Sequence, residues 1–546
     1  MTKQKLVVIG NGMAGARAVE EILARGGGDL FDITIFGEEP HGNYNRIMLS
    51  GVLNGSQQVQ DIFLNPLEWY QENGITLRAG VRVTEINRTA KEVWGDNGEC
   101  VAYDKLLIAT GSRPFIPPLQ GLKTADGRDK PGVFVFRTLD DCTKIASYAS
   151  KCERAAVLGG GLLGLEAARG LLNHGAQVHV IHLMGHLMEQ QLDAQAGAIL
   201  KDTMEKMGVR VHLQKSTTAV LGDDMVTGLA FKDGTTLDCD MVVISCGIRP
   251  NVELAAASGL TVERAIVVDD HLRSIDDPDV YVVGECAQHR GKIYGLVTPL
   301  WEQAQVLAEH ITGRNIHAAY PGSGLATKLK VMGVELCSMG ITEAQEEGDE
   351  VIQFAEPKRG AYKKLVIRHD RLIGAILLGD LSKAATLLQA FDRGTPLPED
   401  RMSLLFDFDV PTKSKEDAML EMPDEARVCN CNGVDKGQIR KCVLSGQRSL
   451  KGVMEATRAG TGCGSCRPLV QEIVEWACEG EVEPDPPEQI EAPVDAGHVL
   501  SPSELRKIAD VADKCNVPMV KLSGGQNIDL LGVKKEALLA MWEELA

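Results

Sequence analysis

The sequence has no long apolar run, few aromatic residues and a deficit of positive charge. None of its apolar stretches approaches the roughly 18 residues that span a membrane, and its N-terminus shows no apolar leader or cleavage site before the first strand. The formal net charge of -19 disfavours nucleic acids and anionic membrane surfaces as partners, because both would repel the chain. These absences predict a cytoplasmic protein in which most of the 14 cysteines stay reduced.

What the sequence does have is glycine, in a chain long enough for several domains. At 546 residues it is expected to form three to five domains, taking about 150 residues for each. With 57 glycines and only 4% aromatic residues, the composition is typical of an enzyme rich in parallel sheet and phosphate-binding loops. The expected fold class is therefore α/β.

Two segments repeat the order strand, glycine turn, helix, strand. In the first, Gly10, Gly12 and Gly15 form a G-x-G-x-x-G loop, whose bare backbone lets a pyrophosphate approach the helix N-terminus. Glu38 follows at the end of the next strand, where a carboxylate can accept both hydroxyls of an adenosine ribose. The segment is therefore predicted to bind a dinucleotide rather than to form a purely structural turn.

The second segment carries the same loop in Gly159, Gly161 and Gly164. His182 occupies the strand-end position at which an acidic residue would select NAD, and no Arg stands beside it to favour a 2′-phosphate. These residues leave the choice between NADH and NADPH open. Two such segments predict two dinucleotides, and a flavin with a nicotinamide is the economical pair because a flavin can take a hydride and release electrons singly.

Four cysteines in the last third of the chain stand in two short pairs. Cys429 and Cys431 are separated by a single residue, and a disulfide across so short a span is strained by the geometry that an S–S bond requires. Cys463 and Cys466 follow in GTGCGSC, and four such thiolates can hold either zinc or a 2Fe-2S cluster. Structural zinc sites usually separate paired cysteines by about two to four residues, so the C-x-C spacing favours the cluster.

Further motifs carry a family resemblance. The cysteine pairs resemble those of the small bacterioferritin-associated-ferredoxin-like 2Fe-2S domain. YNRIMLS, ATGSRP, GGGLLGLE, CGIRPN and VYVVGECAQHRGKIYGLVTPLWEQA resemble motifs of the two-dinucleotide FAD/NAD(P)H reductases, and specifically the N-terminal part of the NAD(P)H-dependent nitrite reductase large subunit. The resemblance implies an NAD(P)H-dependent oxidoreductase of nitrate assimilation, with FAD on the first glycine loop and NADH, or NADPH, on the second.

The resemblance also implies which residues contact each group. Glu166 is expected near the nicotinamide as the catalytic residue, with His182 beside the coenzyme. The other nucleotide-binding residues outside the glycine loops are expected to be Glu38, Asn45, Arg46, Val83, Thr110, Gly111, Arg113, Gly247, Gly284 and Glu285. Because the first cysteine is Cys100, the flavin has no local dithiol to reduce, and its electrons are expected to leave through the cluster on the four paired cysteines.

The expected domains are two interleaved Rossmann-like domains followed by smaller parts. The FAD-binding domain is expected at 1–120 and 246–317, and the NAD(P)H-binding domain at 121–245. The remaining parts are expected to be an α+β domain at 318–415, a small helical 2Fe-2S domain at 427–478, an acidic Pro-rich linker at 479–497 and, by resemblance, a nitrite/sulfite reductase ferredoxin-like half-domain at 498–546.

The final electron acceptor is expected to lie outside this chain. After Cys478 the sequence has only Cys515, whereas sirohaem reductases bind their coupled cluster through two further cysteine pairs, so no sirohaem is expected here. A separate sirohaem-containing nitrite reductase component is the expected partner, with nitrate reductase or another carrier as the alternative. A truncated large subunit, and an iron-sulfur sensor on an inactive flavoprotein scaffold, are further interpretations. The resemblance also suggests a homodimer.

Overall fold

The computed structural model describes residues 2–324, 326–331, 333–406, 419–420, 422–429, 431–462, 464, 466–478, 490–492, 519–522 and 528–531. For residues 329–331 and for the last three segments it describes the backbone alone. The chain forms two compact units: Met1–Asp435 with Gly460–Arg467, and Lys436–Ala459 with Pro468–Ala546. The paired cysteines at 429, 431 and 466 therefore belong to the same unit as both glycine loops.

The first nucleotide-binding region takes elements from two stretches of the chain. Up to residue 114 they are β1 (Gln4–Ile9), α1 (Met13–Ala24), α2 (Gly27–Leu30), β2 (Phe31–Gly37), β3 (Asn43–Tyr44), α3 (Leu49–Leu53), β4 (Phe63–Asn65), α4 (Leu67–Glu72), β5 (Thr76–Ala79), β6 (Val83–Asn87), β7 (Glu92–Gly95), β8 (Cys100–Ala102), β9 (Lys105–Ile108) and β10 (Ser112–Pro114), with 3-10 turns at Arg46–Met48 and Val59–Ile62.

The second nucleotide-binding region is inserted between these stretches. Its elements are β11 (Val133–Val135), α5 (Leu139–Ala149), β12 (Arg154–Leu158), α6 (Leu162–Asn173), β13 (Gln177–Ile181), α7 (Ala194–Lys206), β14 (Arg210–His212), β15 (Thr217–Leu221), β16 (Gly228–Phe231), β17 (Thr236–Asp238) and β18 (Met241–Ile244). The chain then returns to the first region through β19 (Ile248–Pro250), α8 (Glu253–Ala257), β20 (Ile266–Val268), β21 (Arg273–Ser274), β22 (Asp277–Val282), β23 (Ala287–His289) and α9 (Val297–Ile311).

Sheet pairing confirms the interleaved arrangement. The first region holds an eight-stranded sheet in the order β23-β20-β21-β22-β9-β1-β2-β5, which joins strands from both stretches of the chain. The second region holds a five-stranded parallel sheet, β11-β18-β12-β13-β14, and the crossing strands β10 and β19 pair antiparallel where the chain passes between the regions. The central strands β1 and β12 end in buried aliphatic runs, LVVI and AAVL, as parallel strands covered by helices require.

The third region is the α+β domain that the alternating strands predict. Strands β24 (Ala326–Val331), β25 (Val334–Gly340), β26 (Glu350–Glu356), β27 (Ala361–Arg368) and β28 (Arg371–Leu378) form an antiparallel sheet, followed by α10 (Ala384–Arg393), with 3-10 turns at Pro357–Arg359 and Arg401–Leu404. The sheet buries one face against α10 in a core of its own.

The cysteine region pairs two short strands and contains three helices. Strands β29 (Arg427–Cys429) and β30 (Val434–Asp435) flank Cys431, and α11 (Lys436–Leu444), α12 (Leu450–Thr457) and α13 (Arg467–Ala477) follow. In the C-terminal part, β31 (Ile490–Ala492), β32 (Met519–Leu522) and β33 (Ile528–Leu531) form an antiparallel sheet in the order β31-β33-β32. Strand β31 lies in the segment predicted as a structureless linker; its backbone pairs with β33, a long-range partner that local composition does not reveal.

A membrane-crossing helix was not expected. Within the described ranges, none of the helices combines the length and the apolar character that a bilayer requires.

Candidate functional site

The first glycine loop leaves open space in front of the N-terminus of α1. Gly10 has a φ of +115°, and a Cβ there would lie 2.2 Å from the carbonyl oxygen of Ala109. A Cβ on Gly15 would lie 2.1 Å from the oxygen of Gly10, so these two glycines allow the helix to pack on the strands. A Cβ on Gly12 would meet nothing within 4 Å, which fits a pyrophosphate lying against the helix N-terminus.

Two charged groups predicted to surround the flavin lie beside this loop. Glu38 follows β2 and its side chain is 69% exposed, 3.7 Å from a guanidinium nitrogen of Arg82. Arg46 donates to Glu39 at 2.5 Å and to the carbonyl of Arg137 at 3.0 Å. Glu38 is thus open to a ribose, whereas the partly buried Arg46 is held by its own partners.

Glu285 lies at the centre of a compact polar cluster. It accepts hydrogen bonds from Arg137 and from the Ser112 hydroxyl, the latter at 2.6 Å, and Arg137 also donates to Ser112 Oγ at 2.9 Å. The Nε atom of Arg137 is buried and has no hydrogen-bond partner among the described residues. A buried donor without a partner is costly, so this cluster fits a polar cofactor that would accept the bond.

The side chain of Gln303, next to Gly284, carries a second unpartnered donor. The fully buried Gln303 on α9 accepts from the Gly284 backbone N–H at 2.9 Å, while its Nε2 has no partner among the described residues. Gly284 has a φ of +92°, and a Cβ there would lie 2.9 Å from the Cβ of Ala14 on α1. The loop after β22 therefore meets the helix that follows the first glycine loop.

The other residues predicted to bind a nucleotide have mixed surroundings. Thr110 donates its hydroxyl to the carbonyl of Asn251 at 2.9 Å, and the Asn251 side chain donates back to the Thr110 carbonyl at 2.8 Å. Arg113 is 51% exposed and paired with Glu253. Gly111 and Gly247 have positive φ and open space at the Cβ position, and Val83 is buried at the start of β6.

The second glycine loop repeats the geometry of the first. Gly159 has a φ of +122°, and a Cβ there would lie 2.0 Å from the oxygen of Ser245. A Cβ on Gly164 would lie 2.1 Å from the oxygen of Gly159, and one on Gly161 would meet nothing within 4 Å. Glu166 is partly buried on α6, one turn into the helix. The loop therefore fits a second pyrophosphate.

His182 has a role that its strand-end position did not reveal. Its ring is buried, and its Nδ1 accepts a hydrogen bond from the backbone N–H of Gly160 at 3.0 Å. Because Nδ1 is the acceptor, the neutral ring carries its proton on Nε2, which lies 3.0 Å from Oε2 of Glu189. The imidazole thus joins the glycine loop to a carboxylate seven residues further along the chain.

The cysteine loops are buried and joined to each other. Cys429, Cys431 and Cys466 are buried, and Asn432 donates its side-chain amide to Thr461 Oγ1 at 3.1 Å, between the two loops. Cys463 lies outside the described residues. Within the described part of the chain, no three ligand side chains are placed to hold a metal ion. The donor set, four soft thiolates in C-x-C and C-x2-C pairs, fits an iron-sulfur cluster once Cys463 is included.

The loop that contains Cys431 rests on residues of the first nucleotide-binding region. Trp301 on α9 donates its indole N–H to the carbonyl of Cys431 at 3.2 Å. Gly433 has a φ of +65°, and a Cβ there would lie 2.7 Å from Trp301 Cδ1. A Cβ on Gly462 would lie 2.7 Å from the Cβ of Cys431 and 3.7 Å from Nδ2 of Asn45. We call the two residues Trp301 and Asn45 the cluster seat.

Three of the described cysteines outside the two pairs, Cys286, Cys442 and Cys478, have surroundings that do not indicate a reactive thiol. Cys286 is fully buried, and burial raises the pKa of its thiol, so it is not a nucleophile. Cys478 is buried and lies 3.9 Å from the carbonyl of Arg448, whereas Cys442 is partly exposed. None of the described cysteines forms a disulfide.

Sequence reasoning missed four residues of this site: Ser112, Arg137, Trp301 and Gln303. Trp301 and Gln303 stand in the LVTPLWEQA stretch that carries the family resemblance, so their place in that motif was an available signal. Arg137 lies in the inserted region and reaches Glu285 only through the fold. No local signal identifies it.

Four family models match the chain in succession. Residues 4–308 match the pyridine nucleotide-disulphide oxidoreductase family, and residues 326–395 match the rubredoxin NAD+ reductase C-terminal domain. Residues 427–476 match the BFD-like [2Fe-2S] binding domain, and residues 489–546 match the nitrite/sulfite reductase ferredoxin-like half domain. The first model covers more than half of the chain.

Two relatives from Bacillus subtilis are similar along most of the chain. Nitrite reductase [NAD(P)H] is 40% identical over 629 aligned residues, which cover 100% of this chain and 77% of the relative. The assimilatory nitrate reductase electron transfer subunit is 39% identical over 482 residues, covering 88% of this chain and 61% of the relative. The chain thus spans less than the full length of both.

A solved structure shares the fold. The covalent putidaredoxin reductase-putidaredoxin complex matches with a TM-score of 0.66 and 24% identity, over 75% of this chain and 97% of the matched chain. At that identity the likeness shows the fold alone.

Proposed function

Because this chain belongs to the pyridine nucleotide-disulphide oxidoreductase family and extends it with a BFD-like [2Fe-2S] domain, we propose that it passes electrons from NADH through FAD to a 2Fe-2S cluster. With both groups bound, one NADH would deliver a hydride to FAD and leave as NAD+. Two successive one-electron transfers, through the cluster to an external acceptor that reoxidises it between them, would regenerate FAD and release one proton. The chain would thereby take two electrons together from NADH and pass them on one at a time.

The observation that carries this proposal is the location of the cysteine loops. Cys429, Cys431 and Cys466 lie in the same compact unit as both glycine loops. Trp301 and Asn45, which contact these loops, belong to the region of the first glycine loop. A cluster bound there would receive electrons within one chain.

Different residues of the chain would bind FAD, the coenzyme and the cluster. The backbone around Gly12 and α1 would hold the FAD pyrophosphate, and Glu38 the adenosine ribose. Arg137 and Gln303 would donate their unpartnered N–H groups to the flavin. The loop at Gly161 would hold the coenzyme, with Glu166 near its nicotinamide. Cys429, Cys431, Cys463 and Cys466 would ligate the cluster.

Chemical composition and turnover test the proposal together. The purified chain is expected to contain FAD, iron and acid-labile sulfide, and to reduce a one-electron acceptor such as cytochrome c at the expense of NADH. A flavin-free, iron-containing protein would instead support the iron-sulfur sensor on an inactive scaffold. Zinc in place of iron would contradict the cluster.

For the coenzyme we propose NADH, selected by Glu189. Residues 182–193 include no Arg or Lys that could bind a 2′-phosphate. Glu189 is held by His182 at the carboxyl end of β13, the edge of the sheet where an adenosine ribose is read, and its side chain is 26% exposed. A carboxylate accepts several hydrogen bonds, so Glu189 can accept from ribose hydroxyls and would repel a phosphate.

Replacing Glu189 by arginine is expected to shift coenzyme preference towards NADPH. The substitution removes the repulsion and adds a phosphate-binding group, so the ratio of kcat/KM for NADPH to that for NADH should rise about 10- to 100-fold. Glu153→Arg makes the same charge change on an exposed residue at the opposite end of β12, and should leave the ratio unchanged. An unchanged ratio in Glu189→Arg would show that another residue selects the coenzyme.

For the acceptor we propose a separate sirohaem-containing nitrite reductase component. The similarity to nitrite reductase [NAD(P)H] and the ferredoxin-like half domain at residues 489–546 support it. With NADH and nitrite, the chain alone is expected to form no ammonium. Adding a sirohaem-containing nitrite reductase component should allow ammonium to form. Sustained ammonium formation by the chain alone would contradict this.

Nitrate reductase is the second candidate acceptor, favoured by the similarity to an assimilatory nitrate reductase electron transfer subunit. The two candidates are separated by presenting the NADH-reduced chain to each purified reductase and following reoxidation of its chromophores. A homodimer stays a prediction, to be checked by light scattering.

A further inference from the structure

The loop containing Cys431 is attached to the first nucleotide-binding region by a hydrogen bond and by close packing on one side chain. Trp301 is buried, with its indole N–H directed at the Cys431 carbonyl. Gly433 lies against its ring so closely that a Cβ would reach 2.7 Å from Cδ1. Two features therefore favour glycine at position 433: its φ of +65°, and the lack of room for a Cβ beside the Trp301 ring.

The tryptophan is itself anchored to the helix after the first glycine loop. The guanidinium of Arg17 on α1 lies over the Trp301 ring, 5.3 Å from its centroid, and Arg17 is paired with Glu21 at 2.8 Å. The next residue along α9, Glu302, accepts from Arg427 at 2.6 Å. A continuous set of packed groups thus leads from α1 through Trp301 to the backbone of Cys431.

The second residue of the cluster seat is equally fixed. Asn45 is buried, its backbone N–H donates to the Ile62 carbonyl at 2.8 Å, and its Oδ1 accepts from the Ile47 N–H at 3.1 Å. Its Nδ2 faces Gly462, which also abuts Cys431. The loop that contains Gly462 therefore lies between Cys431 and the buried Asn45.

From these contacts we propose that Trp301 and Asn45 are positioning residues, which hold the cysteine loops on the flavin-binding region so that the electron transfer of the proposed function occurs within one chain. The inference rests on that function and adds a role for residues that do not ligate the cluster. A rigid aromatic side chain suits this role, because it buries a large surface with only two side-chain torsions and fixes its partner through one directed N–H.

Substituting Trp301 by phenylalanine tests the proposal, with Trp94→Phe as the control. Trp94 is 39% exposed on β7 and contacts neither cysteine loop in the described structure. Each holoprotein is mixed rapidly with NADH without oxygen, and flavin and cluster absorbance are followed separately. In Trp301→Phe we expect unchanged iron content and unchanged flavin reduction, with cluster reduction slowed about 10-fold, as for loss of an outer-shell partner.

A second variant tests the same contact without changing the buried Trp301 side chain. Gly433→Ala pushes the loop from the ring without changing a ligand, and Gly446→Ala is its control, because Gly446 also has positive φ but open space at its Cβ. Slowed cluster reduction in Gly433→Ala alone supports the proposal. Wild-type rates in both Trp301→Phe and Gly433→Ala, or loss of iron from both, would overturn it while leaving the proposed function standing. Absence of NADH-driven cluster reduction in the unaltered chain would overturn both.

Discussion

Replacing Cys431 by serine is expected to stop electron delivery beyond the flavin while NADH still reduces the flavin. Cys431 is buried at the junction of the two cysteine loops, and a serine hydroxyl is a poor ligand for iron that a soft thiolate binds well. Loss of an outer-shell partner alone costs about 10- to 100-fold, so loss of a ligand should lower cluster-dependent acceptor reduction by at least about 100-fold. Iron analysis and stopped-flow absorbance measure the two effects.

The matched control is Cys442→Ser, which removes a partly exposed thiol from α11, outside both pairs. It should keep its iron and its rate. If Cys431→Ser retains iron and full acceptor reduction, Cys431 is not a ligand, and the assignment of the C-x-C pair to a cluster is wrong.

A glutamate at Gly12 is expected to abolish FAD binding, whereas a glutamate at Gly161 should abolish reduction by NADH and leave FAD in place. At both positions φ is ordinary for any residue, -79° and -85°, and an added Cβ meets nothing within 4 Å. The apo fold should therefore tolerate either change. The added carboxylate would occupy and repel the pyrophosphate space at its helix N-terminus.

Each variant serves as the control of the other, since the same substitution is made in two equivalent loops. Flavin content after purification and the rate of flavin reduction by NADH are the two readouts, with thermal unfolding as the check on folding. Retention of FAD by Gly12→Glu, or its loss from Gly161→Glu alone, would mean that the two loops have been assigned to the wrong dinucleotides.

The glycine loops were predictable because their requirements are local. Gly10 and Gly159 each need a positive φ and close approach to a neighbouring strand, and a strand-turn-helix sequence signals both requirements. The two βαβ segments were predictable for a related reason, since each carries its own pattern of buried strand and helix. Their interleaving was an expectation from the family resemblance, because no local pattern shows that the chain returns to the first domain.

The polar cluster around Glu285 was not predictable, because its members come from three distant segments. Ser112 stands on β10, Arg137 precedes α5 in the inserted region, and Glu285 follows β22. Their hydrogen bonds form only in the folded chain. His182 illustrates a different limit. Its position along the strand was correct, but whether the ring faces the coenzyme or the loop backbone depends on packing around Gly160 and Glu189.

The cluster seat shows the same limit for contacts between domains. The entire α+β region separates Trp301 from Gly433 in the sequence. From the sequence alone, a glycine after C-x-C predicts a turn, and only the structure shows that it packs against the Trp301 ring. Strand β31 was missed because its acidic, Pro-rich surroundings have no period of their own. In each case a long-range partner decides the structure, and the local sequence does not contain it.

The central claim, that NADH reduces a cluster on this chain by way of the flavin, is tested most directly by one anaerobic titration. The purified chain is titrated with NADH and followed by visible absorbance and low-temperature electron paramagnetic resonance. We predict that the flavin bleaches and that the signal of a one-electron-reduced 2Fe-2S cluster grows with it. Bleaching of the flavin with no cluster signal at any NADH concentration would contradict the claim and leave a simple flavin reductase.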